Sequence, residues 1–134
     1  GELAPWITSM KLSNIFGTTL YRKVYNQIWG DFYYPLPAWW YRVKSDFIRV
    51  FFAPNNQKTI ISELQTEIWA GQPIMNIPID EQIDRFSLDQ FKNTINYTKR
   101  VGFDEVYLWG IEWWYYLSAN EHPEYLDYAR TLFH

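Results

Sequence analysis

A chain of 134 residues holds one domain of ordinary size, and with 48% apolar and 20% charged residues it can bury a core. Twelve Lys and Arg against fifteen Asp and Glu leave a net charge of −3, without the clustered positive charge that binds nucleic acid. The lack of cysteine excludes disulfide scaffolds, thiolate zinc and cysteine nucleophiles, and no run approaches the ~18 apolar residues of a transmembrane helix.

In chain order, Pro5 to Leu12 reads as a short helix, with Pro5 in the tolerated first turn. Ile15 to Tyr21 is a β-branched and aromatic run and reads as a strand. Arg22 to Pro37, with Gly30, Pro35 and Pro37, reads as a long loop, rich in aromatics from Tyr25 and Trp29 to Phe32, Tyr33 and Tyr34. Ala38 to Phe52 carries Trp40, Val43, Phe47 and Val50 at helical spacing. A second strand spans Thr59 to Glu63, and a second long loop runs from Leu64 to Phe86.

Ser87-Leu88-Asp89-Gln90 is a capping box, opening a helix to about Arg100 with Phe91, Ile95 and Thr98 along one face. Gly102 stands where a left-handed cap is expected. Glu105 to Trp109 is a third strand ending at Gly110, and a last helix runs from about Pro123 to Leu132.

Strands alternating with helices predict an α/β fold whose parallel strands are joined by crossovers. Long aromatic loops follow the strands and short ones follow the helices, which puts function at the strand C-termini. An eight-unit barrel allots about 31 residues per βα unit, so three strands and a leading helix amount to part of a (β/α)8 TIM barrel in one domain, residues 1–134. The abrupt start at Gly1-Glu2-Leu3 reads as the interior of a longer chain and lacks the order of a signal peptide; it leaves the compartment open. A partial barrel exposes strand edges, so it is expected to self-associate or to need its missing N-terminal half.

With 8 Trp, 11 Tyr and 9 Phe, aromatics make up 21% of the chain. Such rings suit a surface that stacks on sugars or grips a partner, and the alternative is a core unusually rich in aromatics. The densest polar cluster, Ser62 to Trp69, places Glu63, Gln65 and Glu67 at alternate positions after the apolar pair Ile60-Ile61. A carboxylate at the mouth of a buried strand calls for an ion pair, a helix cap or catalysis. Glycoside hydrolysis uses such carboxylates. Tyr21 could donate a hydrogen bond to Glu63, Trp69 could wall the site, and Trp109 could floor a sugar ring. Glu112, Gln65 and Glu67 are further hydroxyl contacts, while Trp113, Trp114 and Tyr115 are expected to pack beneath the last helix.

Asp80, Glu81 and Asp84 read as a solvated acidic loop, and Asn96-Tyr97-Thr98 as a mid-helix coincidence with a glycosylation pattern. His122 and His134 lack metal-ligand spacing, and neither a metal nor a cofactor is expected.

On these residues the chain resembles the C-terminal half of clan A glycoside hydrolases, retaining TIM-barrel enzymes that include the family 5 cellulases and mannanases. Ile60-Ile61-Ser62-Glu63 resembles the seventh strand, which ends in Thr or Ser followed by the nucleophilic Glu. Gly17-Thr18-Thr19-Leu20-Tyr21 resembles the sixth strand, whose Tyr contacts that nucleophile, and Val106-Tyr107-Leu108-Trp109 the eighth, whose Trp lines the cleavage subsite.

The resemblance implies a retaining hydrolase of β-linked poly- or oligosaccharide with Glu63 as nucleophile, and Glu67 in Glu67-Ile68-Trp69 as the alternative. It places the acid/base Glu on the fourth strand after an Asn, but no Asn-Glu precedes Glu63, and Gly1-Glu2 reads as the mouth of the fifth strand. The chain by itself is therefore expected to be inactive. The competing expectations are a carbohydrate-binding module without chemistry and a protein-interaction domain with aromatic loops.

Overall fold

The computed structural model describes residues 3–26, 28, 30–56 and 58–133, and of residues 25, 26 and 31 only the backbone; Gly1, Glu2, Trp29 and His134 lie outside the described residues. The first half runs α1 (Leu3–Lys11), β1 (Ile15–Leu20), β2 (Lys23–Asn26), β3 (Gly30–Tyr33), α2 (Ala38–Phe51) and β4 (Lys58–Gln65). After a 3-10 turn at Ile74–Asn76 come α3 (Ile79–Arg85), α4 (Leu88–Val101), β5 (Glu105–Trp109), α5 (Ile111–Ala119) and α6 (Glu124–Arg130).

The main sheet has the order β1-β4-β5. β1 runs parallel to β4, with Ile15 beside Lys58, Leu20 beside Leu64, and an irregularity between Thr18 and Thr19. Asp104 N donates to Thr59 O at 3.1 Å and Thr66 N to Trp109 O at 3.0 Å; the two bonds advance together along β4 and β5, as in parallel strands. The fold is therefore α/β, with α2 and α4 connecting successive parallel strands. Among the described residues no helix is long and apolar enough to cross a membrane.

Three segments depart from the sequence expectation. The loop expected over Arg22 to Pro37 contains the antiparallel hairpin β2–β3, in which Val24 pairs with Phe32 and Lys23 with Tyr33. The loop expected over Leu64 to Phe86 contains the end of β4, the 3-10 turn and α3, so Asp80, Glu81 and Asp84 lie on a helix. That helix has acids in its first turn and Arg85 in its last, the arrangement its dipole favours. The sequence pattern does not predict α5, because Ile111-Glu112-Trp113-Trp114-Tyr115-Tyr116-Leu117 is too uniformly apolar to show a helical period.

Composition points to one domain, and packing groups the residues into two compact units. The first comprises Gly1–Leu20, Pro35–Leu64 and Ile95–Tyr107, and the second Tyr21–Tyr34, Gln65–Thr94 and Leu108–His134. In the first, Met10, Phe16, Ile48 and Ala53 form a buried cluster with Trp6 and Ile7 against it. Ser45 Oγ lies 2.9 Å from Thr59 Oγ1, Tyr97 OH donates to Leu36 O at 2.7 Å, and Lys58 pairs with Glu105. The helix side of β1 buries Phe16 and Leu20, while Ile15, Gly17 and Thr19 on its other face are exposed, as is Ser62 of β4. Gly17 has a steric reason: a Cβ there would sit 3.2 Å from Ser62 Cβ.

The second unit has an aromatic core. Phe91 stacks on Trp114 with centroids 5.3 Å apart, and Trp113 meets Tyr125 at 5.0 Å and Phe86 at 5.9 Å. Tyr125 OH donates to Phe86 O at 3.0 Å, and burial pushes its hydroxyl up to about 12. Trp113 and Trp114 thus pack inside as expected, whereas Tyr115 is exposed. Gln82 is fully buried and joins three segments: its Nε2 donates to Ile74 O at 3.1 Å and Ile77 O at 2.7 Å, and its Oε1 accepts from Trp113 Nε1 at 2.8 Å.

Gln82→Leu removes the acceptor of the buried Trp113 indole N–H and a donor to the Ile77 carbonyl, while Ile74 O keeps its bond from Ile77 N. It is expected to lower stability by about 3 kcal/mol in urea denaturation, with the transition still cooperative.

Candidate functional site

Three parallel strands deliver their C-terminal ends to residues 21, 66–67 and 109. Tyr21 directly follows β1, Thr66 and Glu67 directly follow β4, and Trp109 ends β5. All of them belong to the second unit. The ends of β4 and β5 are latched together: Thr66 N and Oγ1 both donate to Trp109 O, at 3.0 and 2.7 Å, and Trp114 Nε1 donates to Thr66 O at 2.8 Å.

Gly110 makes this junction possible. Its φ is 136°, and a Cβ there would lie 2.8 Å from Glu67 Cβ and 3.1 Å from Thr66 C and O. The backbone after β5 therefore passes directly against the residue that carries the carboxylate.

Glu67 is half-buried. Desolvation raises its pKa above the ordinary 4.5, a hydrogen bond from the Trp109 side chain works in the opposite direction, and the charge of Glu112 in the first turn of α5 raises it further. The Trp109 ring, held by its N–H edge, remains half-exposed. Beside Glu67 lies a cavity of about 210 Å³ lined by Glu67, Ile68, Trp69, Ala70, Gln72 and Ile74. That is less than the room a drug-sized ligand needs and is suited to a single ring. Trp69 is half-exposed and meets Tyr21 edge-on, with centroids 5.1 Å apart.

Of the residues singled out in the sequence, Tyr21, Glu67, Trp69, Trp109 and Glu112 thus fall in one unit around the strand ends. Glu63 lies inside β4, half-buried and in register with Thr19, and belongs to the first unit. The strand runs two residues past the expected end, so Glu67 rather than Glu63 follows its terminus.

Gln65, expected to reach sugar hydroxyls, is buried and holds the hairpin instead. Its Oε1 accepts from Arg22 N at 3.1 Å and Lys23 N at 3.0 Å, and its Nε2 donates to Lys23 O at 2.6 Å. The hairpin it secures carries exposed Phe32, Tyr33 and Tyr34, with Arg22 over the Tyr33 ring at 5.1 Å. Sequence reasoning missed Gln72 and Ile74 as cavity walls; the signal was Pro73 and Pro78, which bracket the 3-10 turn and precede α3. Among the described residues no three His, Asp or Glu side chains gather to hold a metal ion.

Two outcomes follow from this geometry. Gly110→Ala imposes both a strained φ and an overlap with Glu67, so a loss of about 2–3 kcal/mol in chemical denaturation is expected. For Glu67, a folded-state pKa raised above the unfolded value means that the folded chain holds the proton more tightly, so stability falls as pH rises from the unfolded pKa through the folded one. Glu67→Gln removes that fall: its melting temperature should match wild type near pH 4 and exceed it by a few degrees at pH 7. Comparison with known proteins finds no matching family, no matching curated protein and no matching solved structure.

Proposed function

We propose that this chain is the nucleophile-bearing part of a retaining glycoside hydrolase acting on β-linked poly- or oligosaccharide, with Glu67 as the nucleophile. The observation that carries the reading is Glu67 itself, a half-buried carboxylate just past a central parallel strand, bonded to an indole and opening on a ring-sized cavity. In α/β folds such a position is where reacting groups are placed. The sheet supports a back-half (β/α)8 barrel as well: parallel sheets are ordinarily covered on both faces, and the face bearing Ile15, Gly17, Thr19 and Ser62 is open, as an inward barrel wall would be without its other strands.

In this reading the ionised Glu67 attacks the anomeric carbon, the glycosidic C–O bond breaks, and an ester joins the sugar to Glu67 Oε; water then cleaves the ester. The Trp109 N–H favours the ionised carboxylate against desolvation and Glu112, and it fixes the attacking oxygen. The open faces of Trp109 and Trp69 offer stacking surfaces for sugar rings. The acid/base of the resembled family sits after an Asn on another strand, and no Asn-Glu precedes Glu67. The chain alone should therefore bind sugar without turning over unactivated glycosides.

An activated substrate separates nucleophile from acid, because a dinitrophenolate leaving group departs without a proton. Incubation with dinitrophenyl 2-deoxy-2-fluoro-β-cellobioside or -mannobioside should add one glycosyl unit, which peptide mapping by mass spectrometry places on Glu67 and which Glu67→Gln abolishes. A label on Glu63 would return the role to that residue, and no label with either sugar would end the glycosidase reading.

A further inference from the structure

Helix α2 is amphipathic, yet its apolar row does not face the core. The residues it turns inward are Lys44, Ser45 and Ile48: Ser45 meets Thr59, and the Lys44 ammonium lies 4.0 Å from the Trp6 ring centroid. A second side is polar, with Asp46 paired to both Arg42 and Arg49, and Arg42 Nη1 donating to Gly102 O at 2.5 Å. What remains is the row of apolar residues at helical spacing, Trp40, Val43, Phe47 and Val50, together with Trp39 and Phe51. All six are exposed, Val50 and Phe51 by 69% and 68%.

Scattered exposed apolar residues need no explanation, but six large ones on one helix form a patch that a monomer rarely shows. At about half exposure each, they present about 700 Å² of surface, close to the roughly 800 Å² per partner of a stable protein interface.

We infer that this face of α2 is the contact between two copies of this chain, packed as an antiparallel helix pair across a two-fold axis. An isologous contact needs a self-complementary patch, and the row supplies one: with Phe47 at the axis, Val43 falls opposite Phe51 of the second copy, and Phe51 opposite its Val43. The flanking charges favour protein over lipid. Asp46 engages both neighbouring arginines and the chain carries a net charge of −3, whereas a helix bound to an anionic membrane surface presents a lysine- and arginine-rich fringe. This contact is independent of the role given to Glu67.

Sedimentation or light scattering across micromolar to submillimolar concentrations should give a mass near twice 16.3 kDa for the wild-type chain. Phe47→Arg should reduce it to the monomer while the circular dichroism and cooperative melt persist. Because the chain contains no cysteine, Phe47→Cys introduces a single thiol, which should link to its counterpart under mild oxidation, while Asn96→Cys at an exposed position of α4 stays unlinked. If Phe47→Arg does not fold, the cysteine pair decides by itself. A monomer at all concentrations, or a dimer that neither Phe47→Arg nor Phe47→Cys affects, overturns the inference. So does Phe47-dependent binding of the monomer to phosphatidylcholine–phosphatidylserine vesicles.

Discussion

The Trp109 carbonyl accepts two hydrogen bonds from Thr66, one from its amide and one from its hydroxyl, and the candidate site is organised around that junction. Each of those donors would cost about 1–3 kcal/mol if left unpaired in the interior, so the ends of β4 and β5 are held in one register. Trp114 adds a third bond to the Thr66 carbonyl from the first turns of α5, which ties the following helix to the same point. With Thr66 immobilised, the next residue has little freedom: Glu67 emerges against Gly110 and within reach of the Trp109 indole. A carboxylate that opens on a cavity and is desolvated on its other side follows from this backbone arrangement.

The aromatic excess is divided between the interior and the surface. Phe86, Phe91, Trp113, Trp114 and Tyr125 interlock in the second unit, where edge-on and stacked pairs fill a small core efficiently. Trp69, Trp109, Phe32, Tyr33 and Tyr34 stay largely open to solvent. The structure thus holds aromatics both in a core and on the surface, in different residues.

Local chemistry was legible wherever it acts within a few residues. The Ser87–Gln90 box closes reciprocally, with Ser87 N to Gln90 Oε1 at 3.0 Å and Gln90 N to Ser87 Oγ at 3.3 Å. Gly102 takes φ 70° at the end of α4, and β5 has the expected bounds. What stayed hidden depends on partners distant in the chain. Gln65 and Thr66 look like the polar exit from a strand, yet both are buried because their side chains are satisfied by Arg22, Lys23 and Trp109, some 43 residues away. The local pattern therefore ends the strand at Glu63, two residues short of its end at Gln65 and four short of Glu67. In α2 the helical period is legible but the inward face is not, because Ser45 and Lys44 find partners inside that no local pattern announces.

All three bonds from the Gln65 side chain end on main-chain atoms of Arg22 and Lys23. An anchor of that kind is blind to side-chain identity. The rings displayed on the hairpin can be exchanged for others without loosening its base, so the surface it presents can change while the scaffold beneath it stays intact.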